Sequence, residues 1–366
     1  MNPEVENIPL LKTPLYEAHV ALGAKMAPFG GWLMPIQYDG ILAEHAHTRN
    51  GVSVFDICHM GEFLIEGDPV SSGLDQIVTQ NIASMPEGAC RYGFMLNQQA
   101  GAIDDLVVYR IKKNSWMLVV NAATIPQDEA NLKENLRGEY RFQNVSSATG
   151  KLDVQGPQSK ELLCGIFGEN IAKLKYYTFA EFDFCKERCI ISRTGYTGEL
   201  GYEIYAPNAQ IVKLWDLLLK DARVKPAGLG CRDTLRLEMG YPLYGQDIDI
   251  NRTPLSAGFE KYVDFSKDFI GKAALLEEQA SGSKERLVCF KADSRRSPRH
   301  NFAIYAQGKQ IGTVTSGSFS PNLGVGIGMG YVSGSSSIGD KLVIKEAATE
   351  IPVTVVKKPF ISKTSL

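Results

Sequence analysis

The 366-residue chain contains no stretch of about 18 consecutive apolar residues, so no segment is predicted to span a membrane. Its N-terminal stretch, MNPEVENIPLLKTP, is acidic and polar, and it lacks both the apolar region of a signal peptide and the arginines of a transit peptide. The formal net charge is only −2, which leaves no basic surface for nucleic acid or for an anionic membrane. We therefore expect a cytoplasmic protein without a nucleic-acid or membrane partner.

Paired metal-ligating residues are also missing. The seven cysteines include no Cys-x-x-Cys pair, and the five histidines are scattered along the chain. Cys185 and Cys189 lie close together in sequence, but no second pair of ligands accompanies them, so a zinc site is not predicted. An odd number of cysteines in a long chain favours free, mostly buried thiols in a reducing compartment.

No nucleotide-binding or acyl-transfer motif occurs. The sequence has neither a Walker sequence nor a Gly-x-Ser-x-Gly elbow. The segment GVGIGMGYV places glycines at every second position from Gly324 to Gly330, which is not the Gly-x-Gly-x-x-Gly spacing, and no helix follows it. That pattern predicts a β-strand that another backbone approaches closely. ATP and NAD chemistry are therefore not supported.

What the chain does contain is an ordinary globular composition, with 44% hydrophobic and 22% charged residues, and a length sufficient for two or three domains. Periodicity and capping residues predict a short helix within residues 15–28 and helices at 41–51, 68–82, 126–137, 159–167, 208–222 and 232–240. The segments between them predict strands, including an alternating strand over 52–67 and a hairpin pair with a glycine-rich corner over 183–206. The first three quarters of the chain therefore belong to the α+β class.

The character of the sequence changes after residue 282, where short strand-like segments are separated by Gly, Ser and Asn turns. The segment SGSKE, at 281–285, is typical of a linker. Short strands with turn residues between them predict a small all-β domain, either a barrel or a sandwich.

A pair of acids, Asp104 and Asp105, precedes the apolar run LVVY in the segment GAIDDLVVYR. Strands are depleted in aspartate, so a turn at this point would account for both residues. Alternatively, the pair lies within the strand, where adjacent side chains point to opposite faces. One carboxylate would then face inward with Val107 and Tyr109, and a buried carboxylate needs a partner such as an amine-bearing ligand. The residues alone leave both interpretations open.

Two further clusters carry candidate functional residues. In SRTGYTGELGYEIY, Tyr196 stands between glycines at a corner, and Glu203 lies on the strand that follows. In GLGCRDTLRLEMG, Arg232 stands near the start of a helix that also carries Asp233 and Glu238. The simplest interpretation of each cluster is structural: a glycine-rich hairpin in the first, and ion pairs within the helix in the second.

Taken in order along the chain, the motifs resemble one family. They include TPLYEAHVALGAKMAPFGGW, VFDICHMGEF, GAIDDLVVY, RTGYTGELGYEI, AGLGCRDTLRLEMG, YPLYGQDID, TSGSFSPNLG and KKPF. From about Thr13 to Phe360 the ordered set closely resembles the T protein of the glycine cleavage system, the aminomethyltransferase family. The resemblance implies a three-domain architecture around a central tetrahydrofolate cavity. Its parts would be a discontinuous α+β domain (1–51 and 141–281), a second, related α+β domain (52–140) and a C-terminal β-barrel (282–366).

The resemblance also implies the reaction. An aminomethyl group arrives on the lipoyl arm of a carrier, the H protein; tetrahydrofolate takes its carbon, and ammonia, reduced lipoyl and methylenetetrahydrofolate are formed. The carbon passes from sulfur to nitrogen through a positively charged, iminium-like species, which a preorganised carboxylate stabilises without any metal. By the family match that carboxylate is Asp105, whereas Asp104 serves the turn or supports its neighbour.

The resemblance assigns binding residues position by position. Glu203 would accept hydrogen bonds from the amino and ring N–H groups of the pterin, Tyr196 would lie beside the ligand, and Arg232 would face the carbonyl or negatively charged end of the folate. Val107 and Tyr109 would line the pterin or benzoyl portion. The further cavity-lining positions are Met60, Leu64, Tyr92, Asn121 and Tyr177.

Some positions depart from the family pattern. Cys58 and Cys231 stand where Ser and Ala are usual, which are changes of small volume. Ile250 stands where Glu is usual, so a charge is missing near the interdomain region. No arginine follows KKPF, and only Lys363 could take its place in a contact with a glutamate tail.

Two other functions fit the same scaffold: a tetrahydrofolate-dependent demethylase that needs no lipoyl carrier, and a non-catalytic folate-binding protein. The motifs IDDL and YGQDID favour the aminomethyltransferase over the demethylase. A non-catalytic relative would be expected to lose the acid at position 105, which this chain keeps. We expect a monomer or a weak dimer.

Overall fold

The computed structural model describes residues 9–362, which form two open β-sheets, a two-stranded hairpin and a closed barrel. The helices are α1 (Tyr16–Ala21), α2 (Ile41–Asn50), α3 (Leu74–Ile77), α4 (Ile125–Asn135), α5 (Ser159–Phe167), α6 (Asn208–Leu218), α7 (Leu229–Glu238) and α8 (Lys272–Ser281). Short 3₁₀ turns cover Ala122–Thr124, Glu169–Lys173 and Glu260–Tyr262. Within residues 9–362, no helix has the length and apolar character needed to cross a membrane.

The strands divide among these sheets. In chain order they are β1 (Lys25–Phe29), β2 (Trp32–Gln37), β3 (Val52–Asp56), β4 (Gly61–Glu66), β5 (Cys90–Leu96), β6 (Ala102–Lys112), β7 (Ser115–Val120), β8 (Arg141–Asn144), β9 (Thr149–Gln155), β10 (Phe179–Phe184), β11 (Glu187–Ser192), β12 (Gly201–Pro207), β13 (Val224–Pro226), β14 (Glu285–Ala292), β15 (Ala303–Ala306), β16 (Lys309–Ser320), β17 (Val325–Ser333), β18 (Lys341–Glu346) and β19 (Thr349–Val356). Strands β1 and β2 form the hairpin, and β14 to β19 form the barrel.

The larger open sheet has the order β10–β11–β12–β9–β3–β13 and is antiparallel except where β13 runs parallel to β3. In β9, Leu152 and Val154 alternate with polar residues and pack with Trp215 of α6 and Leu162 of α5 in one apolar cluster. Burial of each such side chain contributes about 1.5–3 kcal/mol, so α5 and α6 are held on this face. The polar residues of β9 therefore point to the opposite face.

The smaller open sheet has the order β5–β6–β7–β4–β8 and is antiparallel throughout. Its Leu106 and Leu118 pack against α3 and α4 in a second apolar cluster. The opposite face carries Met117 and Val119, which pack with Phe179 and Tyr205 of the larger sheet. The two open sheets therefore face each other, and the space between them is lined by both.

The glycine-rich segment forms β17, and the prediction of a closely approached strand is confirmed. The barrel order is β14–β17–β16–β15–β18–β19, so β17 lies between two partners. A Cβ added to Gly328 would lie 2.6 Å from the Phe290 ring, and one added to Gly330 would lie 2.6 Å from the Thr313 carbonyl oxygen. Only glycine leaves room at these two positions.

The predicted fold class is confirmed, because the chain combines α+β sheets with a C-terminal barrel. All seven cysteines are free thiols, and five of them are buried. The division into domains stays a prediction. In the sheets, Val52–Asp56 belongs to the larger sheet and Arg141–Asn144 to the smaller one. Strands of the larger sheet thus lie on both sides of the smaller sheet in sequence.

The helix predicted over 68–82 is wrong in extent, because only Leu74–Ile77 is helical. The chain that follows turns to the edge of β5, where the backbone N–H of Thr79 donates to the carbonyl of Phe94 at 2.9 Å. The Asp75 carboxylate then accepts a hydrogen bond from the backbone N–H of Ile82 at 2.8 Å. These contacts replace the helical hydrogen bonds. The segment predicted as a strand over 52–67 forms two strands, β3 and β4, that belong to different sheets.

The contact at position 250 is made by the main chain. The side chain of Ile250 is 39% exposed, whereas its carbonyl accepts a hydrogen bond from the amide of Asn97 at 3.2 Å. A Cβ added to Gly101 would lie 1.7 Å from that carbonyl oxygen, so the loop and the β5–β6 turn touch through their backbones. Because the main chain makes this contact, the lack of a charged side chain at position 250 does not disrupt it. Lys363 lies outside the described residues.

Candidate functional site

Asp104 and Asp105 lie inside β6, so a turn does not account for the pair. Of the two roles expected for Asp104, the turn is wrong; support of its neighbour agrees with the Asn121 amide, which bonds both carboxylates. Asp104 is fully buried and accepts hydrogen bonds from the backbone N–H and the side-chain amide of Asn121, at 2.9 and 2.8 Å. Asp105 shares a sheet face with Val107, which packs in the apolar cluster between the sheets. The structure therefore supports the alternative in which one carboxylate faces this interior.

The half-buried carboxylate of Asp105 is held by two neutral donors. The hydroxyl of Tyr92 donates to one oxygen at 2.7 Å, and the amide of Asn121 donates to the other at 2.8 Å. Burial raises the pKa of Asp105, and the two hydrogen bonds offset part of that rise because they favour the charged form. A carboxylate with neutral donors keeps its charge available for a cationic group on a ligand.

Two further carboxyl groups lie close to Asp105. Burial raises the pKa of Asp104 well above its ordinary value, and the negative charges of Asp128 and Asp105 raise it further. Burial also raises the pKa of Asp128, in α4, to about 7. Burial and the neighbouring negative charges therefore favour the protonated form of Asp104. Asp105 is the acid of the adjacent pair that ionises more readily.

Four charged side chains meet where β9, β12 and α7 come together. Glu203 on β12 lies opposite Asp153 on β9. The Lys151 Nζ lies 3.2 Å from Glu203 Oε1, and the Arg232 Nη1 lies 2.5 Å from Asp153 Oδ2. The hydroxyl of Thr194 donates to Glu203 Oε2. Two acids and two bases thus form one buried group, which we call the ionic cluster.

Within the ionic cluster, burial raises the pKa of each acid, whereas the neighbouring positive charges lower it. Burial alone would raise the pKa of Glu203, but Lys151, the Thr194 hydroxyl and Arg232 outweigh it and lower that pKa. Burial raises the pKa of Asp153 to about 6 despite its ion pair with Arg232. At neutral pH Glu203 is therefore firmly ionised.

The ion pairs expected within α7 are not the ones that Arg232 makes. Asp233 pairs with Arg236, and Glu238 pairs with Arg49. Arg232 points instead toward β9, whereas Arg236 reaches the barrel strand β16 and bonds the Ser316 hydroxyl. Arg232 and Arg236, one helical turn apart, thus contact different sheets: Arg232 contacts the larger open sheet and Arg236 contacts the barrel.

Aromatic rings connect the two ends of the site. The guanidinium of Arg232 lies 4.7 Å from the centroid of the Tyr196 ring, which stacks on Tyr241 at 5.8 Å. The Tyr196 hydroxyl donates to the carbonyl of Pro242. The charges of Asp105 and Arg232 both act on the pKa of Tyr196, which burial raises. Tyr196 is therefore close enough to both Asp105 and Arg232 to feel their charges.

Several predicted lining residues are half-buried between the sheets. Met60, Leu64, Val107 and Tyr177 pack around the shared apolar cluster. Tyr109 differs, because its side chain is fully buried and its hydroxyl is bonded to Ser192 and Tyr205, at 3.1 and 2.9 Å. Its observed contacts join the two sheets, and its contact with a ligand stays a prediction.

The sequence did not single out four residues that complete the site. Lys151, Asp153 and Thr194 belong to the ionic cluster, and Tyr262 packs edge-on against Tyr92 at 4.7 Å. The strand GKLDVQ did carry a signal, because two charged residues alternate there with apolar ones. Such alternation is usual for a face in contact with water, so it did not point to an interior ionic cluster.

This arrangement combines a carboxylate, a wall of tyrosines and a carboxylate–guanidinium pair. Such a combination suits a flat heteroaromatic ligand with a donor edge at one end and an amine near the other, because rings stack and carboxylates accept from N–H donors. Over residues 9–362, no group of three or more His, Cys, Asp or Glu side chains is placed to hold a metal ion.

Comparison with known proteins identifies the family. The model of the GCVT N-terminal domain matches residues 15–267, and that of the glycine cleavage T-protein C-terminal barrel domain matches residues 285–361. An aminomethyltransferase from Halothermothrix orenii is 44% identical over 96% of this chain and 99% of its own. One from Caldanaerobacter subterraneus is 40% identical over 97% of this chain and 96% of its own.

A solved structure agrees with the sequence comparisons. The crystal structure of the glycine cleavage system aminomethyltransferase T from Bartonella henselae superposes with a TM-score of 0.92 at 33% identity. The match covers 98% of this chain and 99% of that one. The predicted family is thereby confirmed over nearly the whole length, and this chain belongs to the glycine cleavage T-protein family of aminomethyltransferases.

Proposed function

We propose that this enzyme transfers the one-carbon unit of an aminomethyl group from the lipoyl arm of an H-type carrier protein to tetrahydrofolate, with release of ammonia. The proposal rests on the surroundings of Asp105. Its half-buried carboxylate accepts hydrogen bonds from two neutral groups, the Tyr92 hydroxyl and the Asn121 amide. Positive charge that develops on the migrating carbon is stabilised by this carboxylate. The same carboxylate accepts a hydrogen bond from a folate amine and holds it near the carbon.

The ionic cluster supports tetrahydrofolate as the co-substrate. The Glu203 carboxylate matches the amino and ring N–H donors of a pterin, and the Tyr196 ring offers a surface for stacking. Arg232 faces the carbonyl or negatively charged end of the folate. Val107, Met60 and the other half-buried residues between the sheets supply apolar contacts. No step in this scheme requires a metal.

The seven free cysteines are typical of a reducing compartment, which supports a cytoplasmic location for the reaction. The carrier would have to present its lipoyl arm at the space between the two open sheets. The monomeric or weakly dimeric state stays a prediction.

The proposed activity is tested with purified enzyme, tetrahydrofolate and an aminomethylated lipoyl carrier. We expect ammonia and methylenetetrahydrofolate in equal amounts, and neither product when the carrier or the folate is omitted. Product formation from a methylamine such as sarcosine, without any carrier, would indicate the demethylase instead. Folate binding without turnover on either donor would indicate a binding protein.

The raised pKa of Asp105 predicts an acid limb in the rate profile. The ionised form stabilises the transition state, so kcat/KM falls as the pH drops through that pKa, at a higher pH than for an ordinary carboxyl group. Tyr92→Phe removes a donor that favours the charged form, so the limb moves to still higher pH. The measurement is kcat/KM against pH for both proteins. A limb that stays in place in Tyr92→Phe contradicts the assignment to Asp105.

Glu203→Gln is expected to weaken tetrahydrofolate binding about 10-fold, because a neutral amide replaces a charged acceptor. Calorimetric titration of folate measures the change. Glu181→Gln is the matched control: this carboxylate, on β10, is exposed and pairs with Arg188 at the surface. Equal folate affinities for the two variants would show that Glu203 does not bind the folate.

A further inference from the structure

Glu62 is a buried carboxyl group with no assigned role. It lies on β4 opposite Val119 of β7, so it faces the space between the sheets together with Leu64. The residue is 1% exposed, and neither carboxyl oxygen has a hydrogen-bond partner among residues 9–362. An unpartnered buried carboxyl group is costly, so its position indicates a partner that it gains in another state.

Lys151 is the cation that we consider as the partner of Glu62, because it extends from β9 into the same space. It is 2% exposed, and its Nζ lies 3.2 Å from Glu203 Oε1 and 4.8 Å from the Tyr205 ring centroid. The same Nζ lies 3.6 Å from the sulfur of Met60, two residues before Glu62. The ammonium group therefore lies between Glu203 and the beginning of β4, on a long flexible side chain.

Both oxygens of Glu203 are occupied in this state. Oε1 is paired with Lys151, and Oε2 accepts from Thr194. A ligand with two adjacent N–H donors needs both oxygens, so Lys151 has to leave Oε1 when such a ligand binds. Its ammonium group is enclosed and cannot simply move into water. Glu62 provides the vacant carboxyl group on the same side.

We infer that Lys151 changes partner, from Glu203 in the free protein to Glu62 when the donor edge of a folate occupies Glu203. The inference rests on the proposed function. In the exchange, the neutral carboxyl group of Glu62 loses its proton to solvent and becomes the counter-ion of the ammonium group. The ligand N–H groups take the place of Lys151 on Glu203. Charge and protons balance, because one proton leaves for each ligand bound.

The titration behaviour of Glu62 agrees with this exchange. Burial raises its pKa to about 8, with Lys151 lowering it and the charge of Glu203 raising it. The charge of Glu62 also acts on the Tyr205 hydroxyl and the Cys58 thiol, and burial raises the pKa of each so that both stay neutral. Glu62 is therefore protonated at pH 7 in the free protein. Pairing with Lys151 lowers its pKa and releases the proton.

The test is calorimetric titration of the full-length protein with tetrahydrofolate at pH 7.0 under anaerobic conditions. The titration is repeated in phosphate and in Tris, whose ionisation enthalpies differ, so that the dependence of the binding heat on the buffer counts the protons released. We expect release of about 0.9 proton per folate, the protonated fraction for a pKa near 8. Release should disappear near pH 10.

Two variants of the pair are expected to change affinity in opposite directions. Glu62→Gln releases no proton and binds folate about 10-fold more weakly, because Lys151 no longer has a carboxylate at position 62 to pair with and stays paired with Glu203. Lys151→Met also releases no proton but binds several-fold more tightly, because Glu203 is already vacant. Glu66→Gln, an exposed acid on the same strand, behaves like the native protein. Thermal unfolding of each variant establishes that it is folded.

Folate binding to the native protein without proton release would overturn this inference and leave the proposed function standing. So would proton release that persists in Glu62→Gln, or weaker binding by a folded Lys151→Met. Failure of the native protein to bind tetrahydrofolate at all would overturn both.

Discussion

Asp105→Asn is expected to lower turnover by about 10²-fold or more, while tetrahydrofolate affinity stays close to the native value. The substitution keeps the shape of the side chain and its place beside Tyr92 and Asn121 but removes the negative charge. Loss of one preorganised electrostatic group costs this much when the charge on the substrate develops mainly in the transition state. Single-turnover transfer from the aminomethylated carrier, together with calorimetric folate titration, measures the two quantities.

Asp104→Asn is the matched control for that experiment. Burial raises the pKa of Asp104 well above its ordinary value, which favours the neutral form of this carboxyl group. A neutral asparagine resembles the form that burial favours, and turnover should fall by less than about 10-fold. If Asp104→Asn abolished turnover and Asp105→Asn spared it, the two roles would have to be exchanged.

Arg236→Met is expected to lower the free energy of unfolding by about 3–5 kcal/mol, the usual cost of removing one partner from a buried ion pair. Arg236 is 1% exposed, and its guanidinium contacts Asp247 at 2.8 Å, the Ser316 hydroxyl at 2.8 Å and the Tyr241 carbonyl at 3.0 Å. The variant leaves the Asp247 carboxylate buried without its cation. Denaturant titration of the native and variant proteins measures the difference.

The control for this prediction is Arg188→Met, which removes an exposed arginine that pairs with Glu181 across a hairpin. Surface ion pairs contribute little, so its unfolding free energy should change by less than about 1 kcal/mol. If Arg236→Met is too unstable to purify, Arg236→Lys keeps the charge and should lose a smaller part of the stability. An Arg236→Met protein as stable as Arg188→Met would show that α7 and the barrel are held together by other contacts.

The fold could be predicted wherever the signal was local or the family pattern was specific. Alternating glycines from Gly324 to Gly330 indicated a closely approached strand, and the structure places the Phe290 ring against Gly328 and a backbone carbonyl against Gly330. The strands after residue 282 were separated by turn residues, and they close into the barrel. The helix over 68–82 was too long because the pairing of Thr79 with β5 depends on a strand later in the chain.

The ionic cluster could not be predicted from local sequence. Lys151 and Asp153 stand on one face of β9, and the alternation is the same whether that face meets water or another sheet. Arg232 had two acids within its own helix, but its partner Asp153 lies far away in sequence. Such pairings follow from the way two sheets and a barrel assemble, which a local pattern does not encode.

The proposed function depends most directly on where a folate lies relative to Asp105, and a crystal structure of the enzyme with tetrahydrofolate measures this. We predict the pterin edge on the carboxylate of Glu203, and one of the nitrogens that carry the carbon unit within hydrogen-bond distance of the Asp105 carboxylate. Density for the folate elsewhere, with Asp105 still bonded only to Tyr92 and Asn121, would contradict the account.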